Sequence, residues 1–318
     1  MEGNKPIRLS STNCRGNWGT LLLPIHADDS IDFGRLAGEI DTLIAAKVDG
    51  IYSNGTAGEF HTQTEDEFDR INELLASKCQ ARAMPFQIGA SHPVPITMIE
   101  RIRRTKGLGP AAFQVILPDW VRVTETETAD FLTRVAEEAS PIPLVLYNPP
   151  HAKQVLQPEQ YVRLSECVPS LIGIKVLDGD DSWYQRMKPA SDRLAVFVPG
   201  HHLATGVSKG VARGAYSNVA CLNPWAAQYW WQLMQTDIEE ALAIEERIQR
   251  FFSRYIVPFA EQGFSNPALD KLLASVGNWS DIGTRLRWPY RWIPQTEVSR
   301  LRKGAEEFLP DWFLKMGT

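Results

Sequence analysis

A lysine stands at the end of an apolar segment near the middle of the chain. Residues 171–175 read LIGIK, the composition of a buried β-strand that finishes in an amine. Partial burial disfavours an ammonium ion and lowers its pKa, which frees a neutral amine to attack a carbonyl carbon and form a Schiff base. A lysine at a strand end can equally reach into solvent. Lys175 is therefore a candidate nucleophile whose role depends on its neighbours.

Two further segments place polar groups after apolar runs. Residues 144–147 read LVLY, and residues 55–59 read GTAGE. Tyr147 is either a core aromatic with a satisfied hydroxyl or, beside an imine-forming lysine, a group that moves protons to and from the intermediates. The glycines of residues 55–59 suit an ordinary turn, and they also let backbone N–H groups converge on a small anion such as a carboxylate.

All six histidines follow the ends of predicted strands. They are His26, His61, His92, His151, His201 and His202. Loops of this kind are polar and tolerate histidine, which is our interpretation of the first three. His201 and His202 follow Gly200 at the predicted mouth of the fold, where they could bind a substrate hydroxyl or act as acid and base. A divalent-metal site ranks third, because no HxH or HExxH spacing supports it. We predict no metal.

Eight apolar runs separated by amphipathic helices must position these residues. The runs are 20–24, 50–54, 85–88, 112–116, 143–147, 171–175, 195–199 and 214–218. Continuous apolar strands are typical of parallel sheets, whose two faces are both buried. Eight strand–helix units predict an α/β fold, the (β/α)8 TIM barrel, in which the strand C-terminal ends face the active site. A doubly wound open sheet is the alternative, but no GxGxxG or GxxxxGK[ST] loop supports it.

Helix start signals follow several of these runs. Asp32 is predicted to cap the helix after the first run. Thr64 with Glu67, and Thr124 with Glu127, have the spacing of capping boxes.

The chain beyond Asn223 contains no further predicted strand. Helices are predicted at 225–235, 238–259, 267–276 and 297–308. We therefore predict a barrel over residues 1–222, which carries all the candidate chemistry, and a helical extension over residues 223–318 packed on it. Seven of the ten tryptophans lie in the extension. Packing of the helices onto the barrel is the favoured interpretation, and an oligomer interface is the alternative.

The composition excludes several classes of protein. The 318 residues include 33 basic and 38 acidic side chains, a formal net charge of -5, so no basic footprint indicates nucleic acid or an anionic membrane. No apolar run approaches the ~18 residues of a membrane span, and residues 1–19 lack the apolar core of a secretory signal. The four cysteines, Cys14, Cys79, Cys167 and Cys221, are scattered without a CxxC pair. They predict neither disulfides nor zinc, and favour a cytoplasmic location.

In this order, the segments resemble the family of dihydrodipicolinate synthase and N-acetylneuraminate lyase. These are class I, Schiff-base aldolases and dehydratases of 2-oxo acids. The resemblance covers nearly the whole chain: WGTLLLP at 18–24, GTAGE at 55–59 for G-[ST]-T-G-E, YNPP at 147–150 for Y-N-x-P, and GIK at 173–175 for G-[IL]-K. It implies that Lys175 forms the imine, Tyr147 transfers protons, and Thr56 relays the proton and helps to hold the substrate carboxylate.

The resemblance also implies the rest of the site and the assembly. Backbone N–H groups of Thr56 and Ala57 would complete the carboxylate site. The predicted substrate-binding residues are Gly55, Ala57, Trp120, His201, His202 and Tyr216. No cofactor is expected, and the partner molecules would be a small 2-oxo acid and further copies of the chain, in a homotetramer or dimer.

The departures from the family pattern bear on the substrate. Ala57 replaces the second threonine of the loop, and Trp120 stands where the synthase has a tyrosine that relays protons across its dimer interface. An indole N–H only donates, so it cannot relay a proton. Ala152, with Lys153 beside it, replaces the arginine that grips the distal carboxylate of the synthase's aldehyde substrate. Gly200 is followed by two histidines rather than by the acidic pair with which the lyase binds its sugar.

These features favour a lyase that cleaves or dehydrates a 2-keto-3-deoxy sugar acid, with pyruvate as product or co-substrate. An arylidene-pyruvate is the second substrate class. Dihydrodipicolinate synthesis is an alternative that the three losses disfavour. A non-catalytic relative that binds a 2-oxo acid is the competing class, supported by Ala57 and Trp120 and opposed by the retained Lys175 and Tyr147.

Overall fold

Eight parallel strands form a closed barrel in the computed structural model, which describes residues 7–313. The strands are Gly16–Thr20 (β1), Gly50–Ser53 (β2), Phe86–Gly89 (β3), Ala112–Ile116 (β4), Leu144–Asn148 (β5), Leu171–Val176 (β6), Ala195–Phe197 (β7) and Ala212–Tyr216 (β8). They pair in chain order, and β8 closes on β1 with Trp18 opposite Tyr216. The predicted (β/α)8 barrel is confirmed, and the open sheet is excluded.

The first strand was predicted in the wrong place. It was expected at 20–24, but β1 is Gly16–Thr20, a segment whose glycines and Asn17 look like a turn in the sequence. The Asn17 backbone N–H donates to Asp49 Oδ2 at 2.8 Å, and its side-chain amide donates to Gln228 Oε1 at 3.1 Å. The apolar residues that follow are buried beyond the strand, where the Leu22 N–H donates to Glu39 Oε1 at 2.8 Å.

Helices alternate with the strands. They are Phe33–Ala45 (α1), Glu65–Ala81 (α2), Pro95–Thr105 (α3), Glu125–Ala139 (α4), Pro158–Cys167 (α5), Asp181–Ser191 (α6), Leu203–Ser208 (α7) and Asn218–Leu222 (α8). The three predicted start signals are confirmed. Asp32 accepts from the Arg35 N–H at 3.0 Å, and capping boxes on Thr64 and Thr124 open α2 and α4. A cap of this kind stabilises a helix by about 1 kcal/mol.

Large side chains fill the barrel interior. Its cluster is Cys14, Trp18, Tyr52, Ala112, Val145, Ile172, Ala195, Phe197 and Tyr216. The hydroxyl of Tyr216 donates to Gln87 Oε1 at 2.6 Å, and that of Tyr52 donates to Gln114. Because the interior is packed, a substrate can enter only at the mouth formed by the strand C-terminal ends.

The chain continues as helices after the barrel. They are Pro224–Leu233 (α9), Ile238–Tyr255 (α10), Val257–Glu261 (α11), Asn266–Gly277 (α12) and Val298–Phe308 (α13). The helix predicted at 238–259 is instead broken at Ile256, because Pro258 has no N–H to donate to the preceding turn. None of the helices within residues 7–313 is long and apolar enough to cross a bilayer.

The tryptophans of the extension differ in burial. Trp225 and Trp279 are partly buried and pack against the core. Trp230, Trp231 and Trp312 are buried, which confirms the packing interpretation for these three. Trp288 and Trp292 are exposed, so an interface role for them stays a prediction. The predicted division between residues 222 and 223 falls between α8 and α9 and also stays a prediction. Its outer limits, residues 1 and 318, lie outside the described residues.

Candidate active site

Lys175 projects into a ring of three phenols at the mouth of the barrel. It is the penultimate residue of β6, and its Nζ lies 4.2 Å from the ring centroid of Tyr147 and 5.3 Å from those of Tyr52 and Tyr216. Burial lowers the pKa of the Lys175 amine to about 8, and the negative charge of Asp270 partly opposes that shift. The neutral amine that nucleophilic attack requires is therefore more populated near neutral pH than in an ordinary lysine.

Tyr147 lies directly beside the lysine. The register of β5 on β6 pairs these two residues, and the Tyr147 hydroxyl accepts a hydrogen bond from Thr56 Oγ1 at 3.3 Å. Burial raises the pKa of the Tyr147 phenol, so the hydroxyl keeps its proton near neutral pH. The structure therefore brings together the three residues that we predicted to be catalytic, in an arrangement that can deliver a proton to an intermediate on Lys175.

The loop after β2 is shaped by close backbone packing. A Cβ on Gly55 would lie 2.2 Å from the Tyr52 hydroxyl, so only glycine fits there. Within residues 7–313, the N–H groups of Thr56 and Ala57 donate to no other group, which leaves both free for an anion. Glu59 ends the loop, and its carboxylate lies 2.5 Å from Lys271 Nζ and accepts from the Arg287 N–H at 3.1 Å. A buried ion pair between Glu59 and Lys271 therefore fixes the end of this loop.

The two adjacent histidines have different surroundings. His201 is stacked on Phe252, and its Nδ1 lies 2.9 Å from the side-chain amide of Asn218. Burial lowers the pKa of His201 to about 4, so its imidazole is neutral. His202 Nδ1 lies 2.9 Å from Asp178 Oδ1, and this hydrogen bond raises the pKa of His202. Only His202 is thus arranged as an acid–base group.

Asp178 is a site residue that our sequence reasoning missed. It follows Lys175 by three residues at the end of β6, and it also accepts from the Tyr184 hydroxyl at 2.8 Å. Its position just after a strand end was the available signal. Asp178 holds His202 by a carboxylate–imidazole contact, which orients the ring and favours its protonated form.

The remaining histidines lie on loops at the predicted end of the barrel but are dispersed. His26 pairs with Asp32 at 3.4 Å, His61 lies edge-on to Tyr290, and His92 accepts from the Val94 N–H. In the part of the chain that the structure describes, no group of three histidine, cysteine or carboxylate side chains could hold a metal ion.

Two predicted substrate-binding residues are placed differently from the others. Trp120 is 87% exposed on the loop after β4, so within one chain it does not pack over the site. The ring of Tyr216 packs near the Lys175 amine, and its hydroxyl donates a hydrogen bond to Gln87 inside the barrel. Their roles in binding substrate stay predictions.

The helical extension carries an acidic residue with a raised pKa, and the placement of all the chemistry in residues 1–222 stays a prediction. Asp270 on α12 is half-buried, and burial raises its pKa to about 7 while the charge of Lys175 acts in the opposite direction. The signal in the sequence was a lone acidic residue within an apolar helical segment. The electrostatic interaction with Lys175 joins residues nearly a hundred positions apart in the chain, which the sequence pattern does not reveal.

Comparison with known proteins identifies the family of this chain. A sequence profile of the Dihydrodipicolinate synthetase family matches residues 13–284. The chain belongs to this family. It is 24% identical over 290 residues to a 4-hydroxy-tetrahydrodipicolinate synthase of Acidobacterium capsulatum, a match that covers 90% of this chain and 93% of the relative. The named members are class I lyases, so membership places this chain among the lyases.

Solved structures of the dihydrodipicolinate synthetase family share the fold. The N-acetylneuraminate lyase of Fusobacterium nucleatum superposes with a TM-score of 0.80 at 20% identity, covering 93% of this chain and 99% of the lyase. The dihydrodipicolinate synthase of Aquifex aeolicus superposes with a TM-score of 0.81 at 18% identity, covering 95% and 99%. Two different activities thus share this fold.

Proposed function

We propose that this chain is a Schiff-base lyase that acts on a 2-oxo acid. The observation that carries the proposal is the position of the Lys175 amine, which lies among three phenols and directly beside Tyr147. Burial in these surroundings lowers the pKa of the amine. An amine in such surroundings is suited to attack on a ketone. The free N–H groups of Thr56 and Ala57 would hold the substrate carboxylate and present its C2 carbonyl to the lysine.

The reaction begins with addition of the neutral Lys175 amine to C2. Tyr147 supplies the proton with which the carbinolamine hydroxyl leaves as water, and Thr56 reorients to assist that transfer. The iminium then acts as an electron sink. In an aldolase the C4 hydroxyl loses its proton, the C3–C4 bond breaks, and its electron pair forms an enamine. Protonation at C3 and hydrolysis release pyruvate and restore the amine.

A dehydratase would share the first steps. After iminium formation, a proton leaves C3 and hydroxide leaves C4, so that a water is lost instead of an aldehyde. Both routes start from the same imine on Lys175. The residues named so far therefore support the lyase class and leave both routes open.

A 2-keto-3-deoxy sugar acid is the substrate class that we propose. The His202–Asp178 pair offers a hydrogen-bonding and acid–base group suited to a hydroxylated chain. Ala152 provides no cation for a second carboxylate, and Lys153 beside it is exposed. These features disfavour the synthase reaction after which the relatives are named. An arylidene-pyruvate, stacked on Trp120 at an interface between subunits, is the second candidate class.

Borohydride trapping tests the proposed function. The chain is incubated with pyruvate and sodium borohydride, digested and mapped by mass spectrometry. We expect a reduced adduct on Lys175, and none on the exposed Lys209, which serves as the internal control. If neither pyruvate nor any member of a panel of 3-deoxy-2-oxo sugar acids gave an adduct, the proposal of a Schiff-base enzyme would be contradicted, and a non-catalytic binding protein would be favoured. Activity that survives Lys175→Ala but is abolished by EDTA would point to a metal-dependent reaction.

His202→Ala tests the distal pocket. Loss of a charge-assisted hydrogen bond of about 1.5–3 kcal/mol should lower kcat/KM for a hydroxylated substrate by roughly 10–100-fold. Borohydride trapping of pyruvate, which lacks the distal chain, should change little. His92→Ala, on the loop after β3, is the matched control and should alter neither reaction. Equal losses in both assays for His202→Ala would refute a role in binding the chain of the substrate.

We also propose a homodimer or homotetramer in the cytoplasm. Trp120 and Val121 are exposed neighbours on the loop after β4, and a second copy of the chain would cover them. All four cysteines lie within the described residues and carry free thiols, as a reducing compartment favours. Sedimentation equilibrium of the purified chain tests the assembly, and a monomer at micromolar concentration would contradict it.

A further inference from the structure

Two tyrosines of the barrel interior present their rings to the Lys175 amine. Tyr52 of β2 and Tyr216 of β8 each have Lys175 Nζ over the ring, at 5.3 Å from its centroid. Tyr147 of β5 adds a third ring at 4.2 Å. All three distances lie within the ~6 Å over which the negative face of an aromatic ring attracts a cation. The reaction described above uses the Tyr147 hydroxyl and assigns no step to the other two tyrosines.

The orientation of both rings is fixed inside the barrel. The Tyr52 hydroxyl donates to Gln114, and the Tyr216 hydroxyl donates to Gln87 Oε1 at 2.6 Å. Both tyrosines are buried, and their ring centroids lie 4.8 Å apart. Phe197 packs against Tyr216 with a centroid distance of 4.7 Å. Since each hydroxyl proton is committed to a glutamine amide, these tyrosines offer the amine their rings, and the two glutamines are positioning residues.

Tyr52 also adjoins the loop after β2. A Cβ on Gly55 would lie 2.2 Å from the Tyr52 hydroxyl, so the phenol lies directly against the backbone at the start of that loop. The free N–H groups of Thr56 and Ala57, which we propose to bind the substrate carboxylate, follow Gly55 in the chain. The Tyr52 ring is therefore next to the place where the substrate and the amine would meet.

The charged side chains around the amine provide no close anion. Among residues 7–313, no carboxylate oxygen lies within 4.0 Å of Lys175 Nζ. Asp270 of α12 acts on the lysine at longer range, and burial raises the pKa of Asp270 to about 7, so that carboxyl is only partly ionised near neutral pH. Burial also raises the pKa of the Cys221 thiol, which stays neutral. The aromatic faces therefore supply the close electrostatic stabilisation that no ionised side chain gives.

We propose that the ring faces of Tyr52 and Tyr216 stabilise the iminium that forms when a 2-oxo acid condenses with Lys175. The proposal rests on the Schiff-base function proposed above. The neutral amine adds to C2, the carbinolamine hydroxyl takes up a proton and leaves as water, and the nitrogen of the new C=N bond carries one positive charge. A ring face attracts this cation more strongly than the neutral amine from which it formed, so the two rings favour the product of the condensation.

A fluorination series at residues 52 and 216 tests this proposal. Tyr52→Phe and Tyr216→Phe are compared with the corresponding mono-, di- and trifluorophenylalanine variants, because each fluorine weakens the negative ring face while changing the ring volume little. The fraction of chain held as imine is measured by ¹³C NMR during titration with pyruvate labelled at C2. We expect the dissociation constant of the imine to rise with every fluorine, by about tenfold over each series.

The matched control is the same fluorination series at Phe113 of β4. This ring is buried in the hydrophobic cluster outside the barrel interior, so its fluorination should leave the dissociation constant unchanged. A constant that rises with fluorine at neither residue 52 nor residue 216 would overturn the proposal. A merely structural role for the tyrosines would lower the melting temperature of the variants without following the electron density of the ring.

A second set of variants keeps the hydroxyl groups in place. If phenylalanine at these positions prevents folding, because a glutamine amide loses its partner, Tyr52→3-fluorotyrosine and Tyr52→3,5-difluorotyrosine are measured by the same criterion. These variants are compared at about pH 6, where the fluorinated phenols in this buried site keep their protons.

The unsubstituted chain separates failure of this proposal from failure of the proposed function. If it gives neither an imine signal nor a borohydride adduct with any 2-oxo acid of the panel, the Schiff-base function fails, and the role of the rings fails with it. If the imine forms and both fluorination series are flat, only the role of the rings fails.

Discussion

Replacing Lys175 with methionine should lower kcat by at least about 10⁴-fold, because the substitution removes the nucleophile while keeping an unbranched side chain. Methionine suits the ring of phenols around the amine, so the variant is expected to fold. Turnover is measured with the best substrate from the panel of 3-deoxy-2-oxo sugar acids. Circular dichroism and thermal unfolding establish that the barrel is intact.

Tyr147→Phe is the graded comparison for Lys175→Met. It removes the proton donor and leaves the amine, so kcat should fall by about 10²–10⁴-fold, the usual contribution of general acid–base catalysis. Borohydride should still trap pyruvate on Lys175 in this variant, at a slower rate. If Lys175→Met retained turnover comparable with that of Tyr147→Phe, covalent catalysis by the lysine would be disproved.

Lys271→Met should lower the free energy of unfolding by about 3–5 kcal/mol, the usual effect of removing one partner of a buried ion pair. Lys271 and Glu59 are both essentially inaccessible to solvent, and the substitution would leave the carboxylate buried without its cation. Glu39 lies in the same region, and burial raises its pKa well above the usual range. Urea unfolding followed by tryptophan fluorescence measures the change.

The matched control is Lys209→Met, which removes one partner of an exposed ion pair with Asp181. Such surface pairs contribute about 0–1 kcal/mol, so the two lysines should differ clearly. The double variant Lys271→Met with Glu59→Gln should recover part of the loss, because it no longer buries an unpaired charge. If Lys271→Met lowered the free energy of unfolding no more than Lys209→Met does, the buried Lys271–Glu59 ion pair would not stabilise the fold as we expect.

The architecture and the grouping of the three candidate catalytic residues were predictable because both follow from local patterns. Buried parallel strands read as apolar runs, and residues at their ends must meet at one mouth, so Lys175, Tyr147 and Thr56 could be grouped without a structure. The strand β1 could not be located in this way. Its Asn17 is buried by partners far along the chain, Asp49 and Gln228, which no window of sequence contains.

The parts of the site that were missed come from contacts between distant segments. Asp178 contacts His202 on the loop after the next strand, and the charge of Lys175, nearly a hundred residues earlier, acts to lower the pKa of Asp270. A helical segment rich in apolar residues predicts packing, and it does not predict which side chain will face a cation. The composition of α12 therefore predicted packing and did not predict the electrostatic interaction of Asp270 with Lys175.

Two residues of α12 contact different segments of the barrel, and this limits how the chain can vary. Lys271 contacts Glu59 of the loop after β2, and Gly277 packs against the Leu222 carbonyl oxygen of α8. One residue inserted between Lys271 and Gly277 would rotate these two contacts relative to each other by about 100°. The rotational phase of α12 must therefore be conserved in any variant that keeps both the Glu59 contact and the packing on α8.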